Sequence, residues 1–130
     1  MRYVVDCETL LRIAAGELEV AADHKLLAPT LVRSQALAAL YSAAQSGELE
    51  RKEGLERVWR FNAMGVRFLG DRALQSKAWK VAEELGWETT ETAEFVALTQ
   101  LQGDALVTSD KKLAKAVSGL IDVVSPAALA

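Results

Sequence analysis

Short β-branched or apolar runs alternate with longer helical patterns along this sequence, and that alternation constrains the fold more than any other feature. Tyr3–Val5, Val66–Leu69, Ala105–Thr108 and Ile121–Val124 have the length and composition of buried strands, and Leu26–Ala28 is a shorter run of the same kind. Helical spacing fills the intervals. An apolar helical run follows Asp6, Cys7 and Glu8. Pro29-Thr30 opens a helix reaching about Ser46, with Leu31, Ala38, Leu40 and Tyr41 on its apolar side and Gly47 as its stop. Residues 50–62 read as the next helix, with Leu55, Val58, Trp59 and Phe61 turned toward the core. Asp71 caps a helix that carries Leu74, Ala78, Val81, Ala82 and Leu85 to Gly86. Thr89 or Thr90 starts one with Ala93, Val96, Ala97 and Leu101, and Asp110 begins a short last helix from Lys111 to about Val117. Strands joined through helices rather than two-residue turns need crossovers. The reading predicts an α/β fold with a small parallel sheet.

At 130 residues the chain has the size of one domain, residues 1–130, with Ser125–Ala130 as a loose tail. Hydrophobic residues make up 51% and charged residues 25%, the balance of a folded protein rather than a disordered one. No apolar run reaches the roughly 20 residues of a membrane helix, and Asp6 interrupts the first apolar stretch, which argues against a signal peptide. A single cysteine, Cys7, and a single histidine, His24, exclude an internal disulfide and a His/Cys zinc site. The expectation is a cytoplasmic protein with no membrane partner, whose metal, if it holds one, is bound by oxygen. The net charge of −3 is not that of a basic nucleic-acid-binding domain. A local basic patch can still act, because screening limits distant charges to about 8–10 Å.

In parallel α/β sheets the chemistry lies beyond the carboxyl ends of the strands, where neighbouring loops diverge. Asp6 directly follows the first strand in "RYVVDCETLL", and Asp110 follows the Ala105–Thr108 strand in "ALVTSD". Both can also serve as helix N-caps. If the two strands are neighbours, both acids enter one crevice.

The order "VVDCETLL", "LLAPTLVRSQALAAL" and "ELGWETTETAEFVALTQLQGDALVTSDKKLAKA" resembles the PIN-domain family, in particular the VapC-type toxin ribonucleases of VapBC toxin–antitoxin pairs. The likeness runs from Arg2 to about Val124, and "ALVTSDKKLAKA" is its most specific piece. It implies a three-layer sandwich, a small parallel sheet flanked by helices. It also implies RNA cleavage with Mg²⁺ or Mn²⁺ held by acids. Carried over by position, Asp6 and Asp110 match the first and last family aspartates, with Thr108 ahead of the latter. Gln35 stands where the family has a glutamate, and Thr92 where it has an aspartate. Glu8 occupies a place usually held by a small hydroxyl residue, and Glu91 adjoins Thr92. On this reading Asp6 and Asp110 are catalytic and hold the metal with Glu8. Gln35, Thr92, Thr108 and Glu91 line the site, and Arg12, Arg33, Lys111 and Lys112 hold RNA phosphates. The implied partners are RNA, a small antitoxin protein and a second copy of the chain.

Phosphodiester hydrolysis needs an activated water and a stabilised leaving oxygen, which Mg²⁺ on hard oxygen ligands supplies. Replacing two acids by Gln35 and Thr92 removes two charges and weakens metal binding. The alternative is a catalytically degenerate PIN domain that acts as a protein-binding module through apolar helix faces near Leu31–Tyr41 and Trp59–Phe61. Trp59, Trp79 and Trp87 read as core or interface aromatics, Cys7 as a small packing residue, and His24 as a surface residue.

Overall fold

The computed structural model describes residues 1–130. In chain order the elements are β1 (Arg2–Val5), α1 (Cys7–Ala14), β2 (Lys25–Pro29), α2 (Val32–Gln45) and α3 (Arg51–Ala63). They continue as β3 (Arg67–Leu69), α4 (Arg72–Leu85), α5 (Glu91–Gln102), β4 (Ala105–Val107), α6 (Lys111–Val117) and β5 (Val123–Val124). All five strands pair in parallel, in the order β3-β2-β1-β4-β5. Parallel strands need both faces covered. Accordingly Val4, Val5, Ala28, Leu106 and Val107 are fully buried, at 0% exposure.

The strand order fixes where the helices go. From β1 the chain steps outward through β2 to β3, then crosses back to β4 and on to β5. Right-handed crossovers therefore put α1, α2 and α3 on one face and α4, α5 and α6 on the other, giving three layers. The contacts agree: α1, α2 and α3 pack on one another, and α5 lies against β1, β2 and β4 with α4 beside it. The direction of winding reverses between β1 and β4. At such a reversal the loops leaving the two strands diverge and open a crevice.

Local chemistry explains most helix ends. Asp6, Asp71 and Asp110 each accept a backbone N–H from the residue three positions on, at 2.9, 2.9 and 3.0 Å. Gly86 ends α4 in the left-handed conformation (φ 69°), which costs a residue without Cβ nothing. Close approach requires a glycine at position 103, where an added Cβ would lie 2.8 Å from Val4 Cγ2 and 3.3 Å from Thr99 Cα.

The helix expected from Pro29-Thr30 begins later. Pro29 is the last residue of β2 and is buried, and α2 starts at Val32. The residue after β2 must first turn out of the sheet, so proline's fixed φ serves the strand end instead. On α2 and α3 the expected apolar faces are only partly buried. Leu40 and Phe61 point inward, whereas Tyr41 (64% exposed), Leu55 (53%) and Trp59 (77%) point outward, and Ala38 is exposed too. Each helix has more apolar residues than one core-facing stripe accommodates. Trp79, expected in a core or an interface, is exposed on α4.

The tail is docked rather than loose. Pro126–Leu129 form a 3₁₀ turn with both end residues buried, and the Leu129 carbonyl accepts the Ala21 N–H at 2.8 Å. Leu129 is 0% exposed, inside the main core. Leu129→Ala is expected to destabilise by about 2–4 kcal/mol in urea unfolding, the cost of a buried Leu truncation. A change below about 0.5 kcal/mol would mean that the tail does not contribute to the core.

Candidate functional site

The register of β1 and β4 builds the crevice. Val5 pairs with Val107, and Asp6, the next residue, donates its backbone N–H to the Val107 carbonyl at 3.2 Å. Asp6 thus leaves β1 level with the point where the chain leaves β4 toward Asp110. One carboxylate oxygen of each aspartate is spent on its helix cap, on Thr9 N–H and Leu113 N–H respectively. Capping and a site role are compatible, since a carboxylate has a second oxygen.

Asp6, Glu8, Gln35 and Thr92 line one hollow of about 200 Å³, whose apolar side includes Phe95, Leu106 and Leu113. Asp110 lines an adjoining hollow of about 650 Å³ with Trp87, Thr89 and Lys112, and the two share Thr92 and Leu113. Glu8 reaches the second loop: its Oε1 accepts the Ser109 hydroxyl at a long 3.5 Å. Thr108 is buried, and its Oγ1 accepts the Asp110 N–H at 3.0 Å, so it shapes the loop that carries Asp110. No three acidic, histidine or cysteine side chains converge closely enough to enclose a metal ion.

The other sequence candidates are placed differently. Glu91 is exposed at the start of α5 and lines neither hollow. Its neighbour Glu94 has its carboxyl pushed above the usual range, first by burial and then by the Glu91 charge. Arg12, one turn beyond Glu8 on α1, pairs with Glu17 at 3.5 Å. Arg33 does not line the Asp6 hollow; its guanidinium lies 5.4 Å from the Phe68 ring centroid, in a groove between α2 and α3. Lys112 lines the Asp110 hollow, and Lys111 is exposed beside it.

Two site residues lacked a clear sequence signal. Ser109 joins Glu8 to the Asp110 loop, and Trp87 lines the Asp110 hollow although its sequence position suggested a core or interface aromatic. Its place follows from Gly86, which turns the chain back over the end of α4. Nor is His24 simply a surface residue. Its ring sits edge-on to Tyr3 at 4.9 Å, with Nδ1 closed off and unpartnered.

Cys7 lines the Asp6 hollow, where burial, aided by the Asp6 carboxylate, pushes its thiol up to about 11. At pH 8 its thiolate fraction falls on the order of 100-fold below that of a free cysteine, and higher intrinsic nucleophilicity recovers about 10-fold. Alkylation by iodoacetamide is expected at least ~10-fold slower than for a free thiol, rising with pH toward 11. A rate equal to that of free cysteine would contradict the packed position of Cys7.

No protein-family model matches the chain, and no curated protein matches it. Solved structures do. PAE2754 from Pyrobaculum aerophilum aligns over 99% of this chain and 92% of its own, with a TM-score of 0.75 and 22% identity. A chain of VapBC2 from Rickettsia felis, in a complex bound to a DNA fragment from its promoter, covers 96% of this chain and 98% of that one at TM-score 0.70 and 9% identity. A chain of VapBC-1 from nontypeable Haemophilus influenzae covers 98% of this chain and 99% of that one at TM-score 0.64 and 8% identity. These alignments run over nearly the whole chain, and with its five-stranded parallel sheet and flanking helices the chain has the PIN-like, VapC-like α/β fold.

Proposed function

We propose that the chain is a VapC-like, metal-dependent endoribonuclease of a toxin–antitoxin pair, acting in the cytoplasm at the Asp6/Asp110 crevice. The observation that carries the reading is the position of these two aspartates, one after each of the adjacent central strands where the sheet reverses its winding. Mg²⁺ is commonly held by one or two carboxylates, with water and substrate phosphate completing its octahedron. Two aspartates suit that mode, although they do not make an all-protein cage. Asp6 and Asp110 would hold the Mg²⁺ or Mn²⁺, with Glu8 beside them. The bound ion would supply an activated water and neutralise charge building on the phosphate.

The chain's own residues supply the remainder. Caps on Thr9 and Leu113 fix the orientation of the two carboxylates, and Thr108 holds the Asp110 loop. Gln35 and Thr92 add neutral polar atoms, and Phe95, Leu106 and Leu113 keep one wall dry. Lys112 stands where it can meet an RNA phosphate. The test is RNA cleavage by the purified protein with Mn²⁺ or Mg²⁺, compared with chelator. Cleavage that is stopped by chelator and restored by the metal is expected. Cleavage indifferent to chelator rejects the metal-dependent reading.

A second reading rests on Gln35 and Thr92, which put neutral groups into the hollow that Asp6 lines. A domain so depleted of acids would serve as a binding module instead. In either reading a small antitoxin protein or a second copy of the chain would cover the exposed Leu37, Tyr41, Leu55 and Trp59 on α2 and α3. The complexes from Rickettsia felis and Haemophilus influenzae support a protein partner by analogy.

A further inference from the structure

The hollow beside Asp110 has room for more than a phosphate and a cation. It holds about 650 Å³ and adjoins the Asp6 hollow, with Thr92 and Leu113 lining both. Small-ligand sites run from about 300 to 1,000 Å³. One wall is the turn from Gly86 to Thr89, and another is the side of α6 that carries Lys112, Leu113 and Ala116 at helical spacing.

Closing the end of α4 does not by itself call for a tryptophan at position 87. The Trp87 N–H donates to the Ala82 carbonyl at 2.9 Å, and a residue in that place commonly packs an apolar side chain on the last helical turn. A leucine would make that contact. The indole packs against the core with part of its surface and lines the hollow with the rest. The polar groups around it are uncommitted. Glu88, Thr89, Thr92 and Lys112 take part in none of the molecule's side-chain hydrogen bonds or ion pairs. A half-buried aromatic ringed by a free carboxylate, free hydroxyls and a free cation suits an unstacked nucleobase. Proteins stack such bases on aromatic side chains and read their edges by hydrogen bonds.

We propose that this hollow holds the base of the RNA nucleotide next to the scissile phosphate, and that it favours guanine. The inference rests on the Asp6/Asp110 crevice being the place of RNA cleavage. Trp87 stacks on the base, Lys112 meets a flanking phosphate, and Glu88 accepts hydrogen bonds from the base edge. A carboxylate can accept but not donate. Guanine presents it with two N–H groups side by side, at N1 and N2. Uracil presents one, at N3, and cytosine and adenine present only an exocyclic amino group. A purine also covers more of the indole than a pyrimidine does.

The test is fluorescence anisotropy of the full chain with two short labelled single-stranded RNAs, at low ionic strength and in chelator. One RNA is all uridine, and the other carries a single central guanosine. Chelator prevents metal-dependent cleavage, so binding alone is read. The guanosine RNA is expected to bind at least ~5-fold more tightly. Trp87→Leu keeps the apolar contact at the end of α4 and should weaken the guanosine RNA at least ~5-fold, whereas Trp87→Phe, which keeps a flat ring, should weaken it less. Glu88 is exposed, so Glu88→Gln should melt as the parent does and bring the two RNAs within ~2-fold of each other. The proposal is overturned if the parent binds the guanosine RNA no more tightly than the uridine RNA. It is equally overturned if Glu88→Gln retains the preference, or if Trp87→Leu binds the guanosine RNA as the parent does. A guanosine preference in a protein that cleaves no RNA in Mn²⁺ would reject the enzymatic reading and uphold the base site. Chelator-sensitive cleavage without the preference would do the reverse.

Discussion

Asp6→Asn is expected to lower metal-dependent RNA cleavage on the order of 100-fold or more, with almost no loss of stability. The two effects separate because Asp6 has two jobs. Its Oδ1 caps α1 by accepting the Thr9 N–H, and asparagine caps a helix about as well as aspartate. Unfolding free energy should therefore change by less than about 0.5 kcal/mol. The charge that would hold the cation is lost, and Asp110 alone cannot replace it. Single-turnover cleavage of a labelled RNA, run beside urea unfolding of the same preparation, checks both halves. Cleavage that persists in the folded variant would come from a contaminant and would remove the enzymatic reading.

Gln35→Glu combined with Thr92→Asp is expected to raise Mn²⁺ affinity at least ~10-fold by calorimetry, because affinity of a hard-cation site follows the number of its carboxylates. Both positions line the Asp6 hollow, so the new acids would face the existing one. The same crowding has a cost without metal. Carboxylates brought together repel, and a cation relieves the repulsion. The variant should therefore melt below the parent in chelator and gain more than the parent when Mn²⁺ is added. Asp at position 92 lies in the first turn of α5, where the helix dipole favours it and limits the loss. Unchanged affinity would mean that these side chains do not face a shared cation position.

Much of this was legible in the chain itself. The five strands, the caps at Asp6, Asp71 and Asp110 and the stop at Gly86 are local signals, and local physics decides them. Strand order was not readable from periodicity. The sequence reading left it open whether the first and fourth strands are neighbours, and the pairing of Val5 with Val107 is what brings Asp6 and Asp110 to adjacent strand ends. Burial on α2 and α3 was misjudged because apolar spacing cannot distinguish a core-facing side from an exposed one. Tyr41, Leu55 and Trp59 continue the helical pattern and still point to solvent. The tail was misread for a related reason: Pro126–Leu129 has no periodicity to display, and only the tertiary fold reveals that Leu129 is fully enclosed. Arg33 illustrates the limit for charged residues, since two positions along α2 separate a side chain in the Asp6 hollow from one stacked on Phe68.

The central place of β1 has a consequence for how the molecule is made. One of the two strands that flank it, β4, lies about a hundred residues later in the chain. Until that strand emerges, one edge of β1 has no hydrogen-bonding neighbour and the crossover helix α5 has no complete surface to rest on. Sheet closure is thus a late, long-range event, which makes folding slow and leaves an apolar edge open during translation. The crevice between β1 and β4 does not exist until β4 has emerged and paired, so a nascent chain that stops short of β4 cannot present it.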